Sequence, residues 1–95
     1  MYRIYSLKES FSDEVKYIGL TKQDIKDRLS QHIYKARGAK KKNKVQAWII
    51  SCLNSGNNIE INILEDDIID IKTAIIRESY FIKTWPSIRR IVAET

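Results

Sequence analysis

Five side chains of the 95-residue sequence stand out for their chemistry: Tyr17, Arg28 and His32, which one strand-turn-helix stretch brings together, and Tyr5 and Glu78 outside it. Arg28 and His32 lie four residues apart in a stretch of helical period, so they stack on one face, at the margin of its apolar stripe. An arginine at a core margin calls for an anion, which its planar donor fork can grip at two points. The histidine beside it is the side-chain type that changes charge near neutral pH. Glu78 stands in the middle of a second apolar stripe, where an ionised carboxylate left unpaired is costly. It therefore needs a cation, a metal or strong donors, or it carries a proton. Ordinary readings stand beside these: a tyrosine that packs in a strand, an arginine that snorkels or pairs, a half-buried histidine with its hydrogen bonds met.

The elements that must position these groups follow from periodicity. Tyr2–Leu7 alternates as a half-buried strand, 8–14 reads as a loop, and Val15–Leu20 resumes the extended pattern, so the two strands form an antiparallel hairpin. Tyr5 and Tyr17 can share a face of that hairpin if the register allows. The chain turns at Gly19, Thr21 is placed to cap a helix running to about Lys35, and Ile25, Leu29, Ile33 and Ala36 form its buried stripe. Gly38 is the expected stop. Val45, Trp48, Ile49, Cys52 and Leu53 then mark a second amphipathic helix ending near Asn54-Ser55-Gly56, with Trp48 read as core.

A strand is expected over Asn58–Glu65, with Ile59, Ile61 and Ile63 on its buried face. The last helix is expected from about Ile68 to Trp85, with Ile71, Ile75, Ile82 and Trp85 as its stripe and Pro86 as its stop. Glu65, Asp66, Asp67 and Asp70 precede it. Acids there usually serve a helix N-terminus and solubility, and the run lacks the spacing of a calcium loop, so it is not read as a metal site.

Between the first two helices the sequence carries Lys35, Arg37, Lys40, Lys41, Lys42 and Lys44 with no intervening acid. Such a run is either a solvated loop or a phosphate-contacting one, which adds affinity without reading sequence. The formal net charge of +5 agrees with a polyanionic partner. One cysteine, Cys52, excludes an internal disulfide and a thiolate-cluster metal site and fits a reducing compartment. The start lacks the pattern of a signal peptide and no apolar run is long enough to span a bilayer, so no membrane association and a cytoplasmic location are expected. The length suits one domain over 1–95, with no separate target-recognition domain visible.

Tyr17-Ile18-Gly19, preceded by Arg3-Ile4-Tyr5 and followed in order by Arg28 and Glu78, resembles the GIY-YIG nuclease domain over roughly residues 2 to 85. The resemblance implies an α+β fold of order ββααβα, a three-stranded antiparallel sheet flanked by helices. It implies a divalent-metal-dependent endonuclease acting on DNA, with RNA not excluded. In that family's chemistry a tyrosinate is the general base, here Tyr5, with Tyr17 or His32 orienting it or receiving its proton. Nearby cations would have to lower the phenol's ordinary pKa of ~10. Arg28 is the implied phosphate clamp, and Glu78 the single ligand for Mg²⁺ or Mn²⁺, which keeps several waters and takes phosphate as a further ligand.

Three positions depart from the pattern. Arg3 replaces the first glycine, and Leu20 stands where a basic or polar residue often follows Tyr-Ile-Gly, with Lys22 as a substitute. No asparagine follows Asn62, although many members carry one after the glutamate. The last departure keeps a second reading open, a nucleic-acid-binding module of the same fold with weak or no catalysis.

Overall fold

The computed structural model describes residues 1–84. Its elements are β1 (Tyr2–Glu9), β2 (Val15–Thr21), α1 (Ile25–Gly38), α2 (Lys44–Asn54), β3 (Ile59–Ile68) and α3 (Ile71–Thr84), the expected order. The strands form one antiparallel sheet in the order β2-β1-β3, so the first strand is central. No helix among the described residues is long and apolar enough to cross a membrane.

Alternation along β1 divides the core in two. Tyr5 and Leu7 join Ala36, Val45, Ile49, Cys52 and Ile59 in a cluster against which Leu29, Ile33 and Trp48 pack, whereas Ile4 and Ile18 join Ile68 and Ala74 of α3. Successive residues of a strand point to opposite faces, so α1 and α2 serve one cluster and α3 the other. Trp48 is half-buried core, as its spacing indicates.

Several boundaries move. Thr21 does not cap α1: it pairs with Arg3 as the last residue of β2, and its Oγ1 accepts from the Gln23 amide. Asp24 is the cap instead, its carboxylate accepting from the Lys26 amide. The helix also continues through Lys35 to Gly38, with Ala39 as its C-cap. At α2 the Asn43 side chain accepts from the Gln46 amide while the Gln46 side chain accepts from the Asn43 amide, a reciprocal capping box.

The acidic run does three separate jobs. Glu65 bonds Arg77, Asp66 pairs with Arg3, and only Asp70 serves the helix, accepting from the Thr73 amide and hydroxyl. Pairing with β1 carries β3 on to Ile68, so α3 starts at Ile71 and not at Ile68. Its buried contact is Ala74, with Phe81 and Ile82 partly buried beside it, while Ile71 and Ile75 are exposed. Ile63 also proves exposed, on a strand whose register with β1 shifts twice. Trp85, Pro86, Arg89 and Arg90 lie outside the described residues.

Candidate active site

Register settles the question of the tyrosines. Tyr5 pairs with Gly19 and Leu7 with Tyr17, so Tyr5 and Tyr17 lie diagonally on one face, their ring centroids 6.2 Å apart. Gly19 is what allows Tyr5 its place. A Cβ at residue 19 would overlap the hydroxyl oxygen, Cζ and Cε1 of Tyr5, so the phenol lies across the β2 backbone where any other residue would stand. The glycine's importance was legible only as a turn from sequence. Its pairing partner shows that it clears space in a strand.

From α1, Arg28 and His32 reach the same hydroxyl, as their shared helix face requires. Arg28 Nε donates to Tyr5 Oη at 3.1 Å, and Tyr5 Oη lies 2.7 Å from His32 Nε2. With Arg28 donating to the oxygen, the phenol proton is free to go to Nε2 of a neutral imidazole, which then carries its own proton on Nδ1. The His32 ring also meets Tyr17 edge-on at 5.4 Å between centroids. A further Arg28 nitrogen donates to Gln31 Oε1, a partner one helical turn along that sequence reading had passed over.

Burial dominates the electrostatics. Tyr5 is 0 % exposed, and its pKa is raised far above the usual phenol value. The removal of water is the main cause, with Tyr17 and Glu78 adding to it, while Arg28 pulls the other way through its charge and hydrogen bond. Cations alone were expected to lower this phenol. Arg28 acts in the expected direction and burial outweighs it. Tyr17, half-buried, is also raised, again chiefly by burial and with Arg28 opposing. His32 is lowered to about 4, first by burial and then by the charges of Arg28 and Lys35, so it is neutral at neutral pH. Glu78 is half-buried and raised by lost hydration. Among the described residues no hydrogen bond or ion pair reaches its carboxylate, although its charge is felt at both tyrosines.

A cleft of about 150 Å³ opens beside this cluster, lined by Tyr17, Arg28, His32, Lys35 and the α2 start at Asn43, Val45 and Gln46. The basic run is only partly a loop, since Lys35 and Arg37 belong to the last turn of α1 and Lys44 opens α2, and of its six cations only Lys35 lines this cleft. Arg37 borders an adjoining hollow, Lys41, Lys42 and Lys44 line a third, and exposed Lys40 lies between. Lys42 Nζ donates to the Ala39 carbonyl at 2.7 Å, so that lysine is folded onto its own loop. Lys22 lines none of the three hollows; its ammonium stands 4.8 Å from the centre of the Tyr2 ring. Asn43 and Gln46 were not foreseen as cleft residues, although their spacing is a capping signature that marks where α2 begins.

Among the described residues no cluster of three His, Cys, Asp or Glu side chains could hold a metal. Glu78 is thus a lone oxygen donor, a set that suits a hard cation retaining its own waters and not one needing a full protein cage.

The GIY-YIG catalytic domain model matches residues 1–87. Two solved structures share the fold. The catalytic domain of the homing endonuclease I-TevI is 28% identical, with a TM-score of 0.68 and coverage of 92% of this chain and 90% of its own. A glutamate-to-alanine mutant of the catalytic domain of intron endonuclease I-TevI is 27% identical, with a TM-score of 0.72 and coverage of 100% and 97%. No curated protein sequence matches the chain. With an ordered series of tyrosines, glycine, arginine and glutamate placed on this fold, the chain belongs to the GIY-YIG catalytic domain family.

Proposed function

We propose that this chain is a divalent-metal-dependent endonuclease that hydrolyses DNA phosphodiester bonds. The observation that carries the reading is the chain of contacts Arg28–Tyr5–His32, with the Glu78 carboxylate, which has no hydrogen-bonding partner among the described residues, close enough to influence Tyr5. The structural likeness to endonuclease catalytic domains supports the same conclusion.

Each residue type has a task in such a reaction. Tyr5 takes a proton from the attacking water and passes its own to His32 Nε2, which is free to receive it because the imidazole is held neutral. Concerted transfer avoids a free tyrosinate, which burial disfavours. Arg28 clamps a non-bridging phosphate oxygen; moving toward it releases the Nε contact and uncovers the tyrosine oxygen for water. Tyr17, on the open side of His32, orients the imidazole and closes one wall of the cleft. Glu78 would hold Mg²⁺ or Mn²⁺, which when bound supplies charge neutralisation at the leaving 3′ oxygen. Lys35, Arg37, Lys40, Lys41, Lys42 and Lys44 contact backbone phosphates, and Lys22 does so once it leaves Tyr2.

A binding module without efficient catalysis is the second reading. The full burial of Tyr5 favours it, because no water reaches that oxygen in this arrangement. Nicking of supercoiled plasmid with Mg²⁺ or Mn²⁺, with a chelator control, separates the two. We expect metal-dependent nicking that falls by roughly 100-fold or more in Tyr5→Phe and Glu78→Ala. A folded, DNA-binding wild type that nicks nothing would reject the nuclease in favour of the module.

A further inference from the structure

Tyr34 is 80 % exposed, one residue from buried-side Ile33 and two from fully buried Ala36 on the same helix. It sits on the wall of an open hollow of about 750 Å³ with Lys35, Arg37, Gly38, Ala39 and Gln46. A Cβ on Gly38 would meet nothing within 4 Å, so the hollow is open at that residue. Two of these residues, Lys35 and Gln46, also line the catalytic cleft, so hollow and cleft adjoin through a shared wall. The hollow's described lining holds two cations, no acid and a single aromatic ring.

That combination suits a nucleotide better than a protein surface. Cations beside an exposed aromatic are how single strands are held: the backbone follows the charge, and a base stacks on the ring. A paired base cannot present its face to a side chain without leaving its own stack, whereas an unpaired one can. Lys35 lines both the hollow and the cleft of Arg28 and His32, so a strand whose scissile phosphate meets Arg28 can run on toward this wall.

We propose that the hollow receives an unpaired nucleotide flanking the scissile phosphate, with its base on the Tyr34 ring and its phosphate on Lys35. The inference rests on the nuclease reading, because that reading supplies the strand in the cleft. It adds a preference for single-stranded or locally opened substrate that the catalytic cluster does not contain.

The test is binding in chelator, where no cutting occurs. Anisotropy titrations with a labelled single-stranded oligonucleotide and a duplex of the same sequence compare the wild-type chain, Tyr34→Ala and Tyr34→Phe. An oligonucleotide carrying 2-aminopurine reports stacking directly. Expected is a roughly tenfold loss of single-strand affinity in Tyr34→Ala, less than about twofold on the duplex, wild-type behaviour in Tyr34→Phe, and loss of 2-aminopurine quenching only in the alanine variant. Equal losses on both substrates, or none, would overturn the stacking site while leaving the nuclease reading intact. A wild type that binds neither oligonucleotide would overturn both. The exposed position makes folding of these variants safe, and an unchanged thermal midpoint checks it.

Discussion

The two helical sides of the sheet hold their functional groups differently. On the α1/α2 side, Tyr5 is enclosed, its oxygen is bonded to Arg28 and His32, and Gly19 clears its place. On the α3 side, Glu78 stands near the tyrosines without a hydrogen-bonding partner among the described residues, on a helix whose one buried residue is Ala74. Ile75 and Ile76 there are 51% and 68% exposed. The first side is over-determined, so its geometry survives or collapses as a unit. The second is under-determined, so its carboxylate can change without disturbing the fold.

The comparison breaks most sharply at Gly19. Gly19→Ala forces a methyl into the Tyr5 ring, and overpacking of this kind typically costs ~1–3 kcal/mol. We expect a thermal midpoint lower by roughly 5–20 °C for a domain this size, together with loss of nicking. An unshifted midpoint would mean that the ring has room to move and that the α1/α2 side is less rigid than described.

Glu78→Gln probes the other side. The native carboxyl has a raised pKa, so its ionised form is the one that folding disfavours, and the penalty is present at neutral and alkaline pH and relieved as it protonates. Glu78→Gln should therefore raise the midpoint in metal-free buffer at pH 8 by a few degrees, the gain shrinking toward mildly acidic pH, while metal-dependent nicking disappears. A lower midpoint at pH 8 would show that the carboxylate has a stabilising partner.

The smallest effect concerns His32. Its pKa falls from the ordinary 6.5 to about 4, so the unfolded chain binds the proton more readily across that interval. Stability linked to His32 is complete above pH 6.5 and drains away as pH falls toward 4. His32→Gln should flatten this acid limb in urea titrations at successive pH values. A limb unchanged by the substitution would assign it to carboxylates instead.

Element order was legible because strand alternation and helical period are properties of the chain itself. Ends were less so: Thr21 and Asp24 are both good caps, and only pairing with Arg3 takes Thr21 into the sheet. On α3, isoleucines occur on several sides, so period alone could not show that Ala74 faces inward. Glu78 is half-buried, but not through the stripe read from sequence: Ile71 and Ile75 of that stripe are exposed, and its inward neighbours along the helix are Ala74 and Ile82. Arg28 and His32 could be grouped because they share one helix face, whereas Tyr5 and Tyr17 were joined to them by the family resemblance, since strand register depends on a loop that local pattern does not fix. What stayed hidden was the direction of the phenol's pKa, since enclosure depends on residues far apart in sequence.

The central strand comes first in the chain, and Glu78 comes last among the five groups. During synthesis, then, Tyr5, Tyr17, Arg28 and His32 are all made before Glu78. The final helix must emerge and dock on the first two strands before the centre is whole. On the proposed function, such an order would keep the nascent chain harmless to nucleic acid around it and make activity a report that the whole fold has closed.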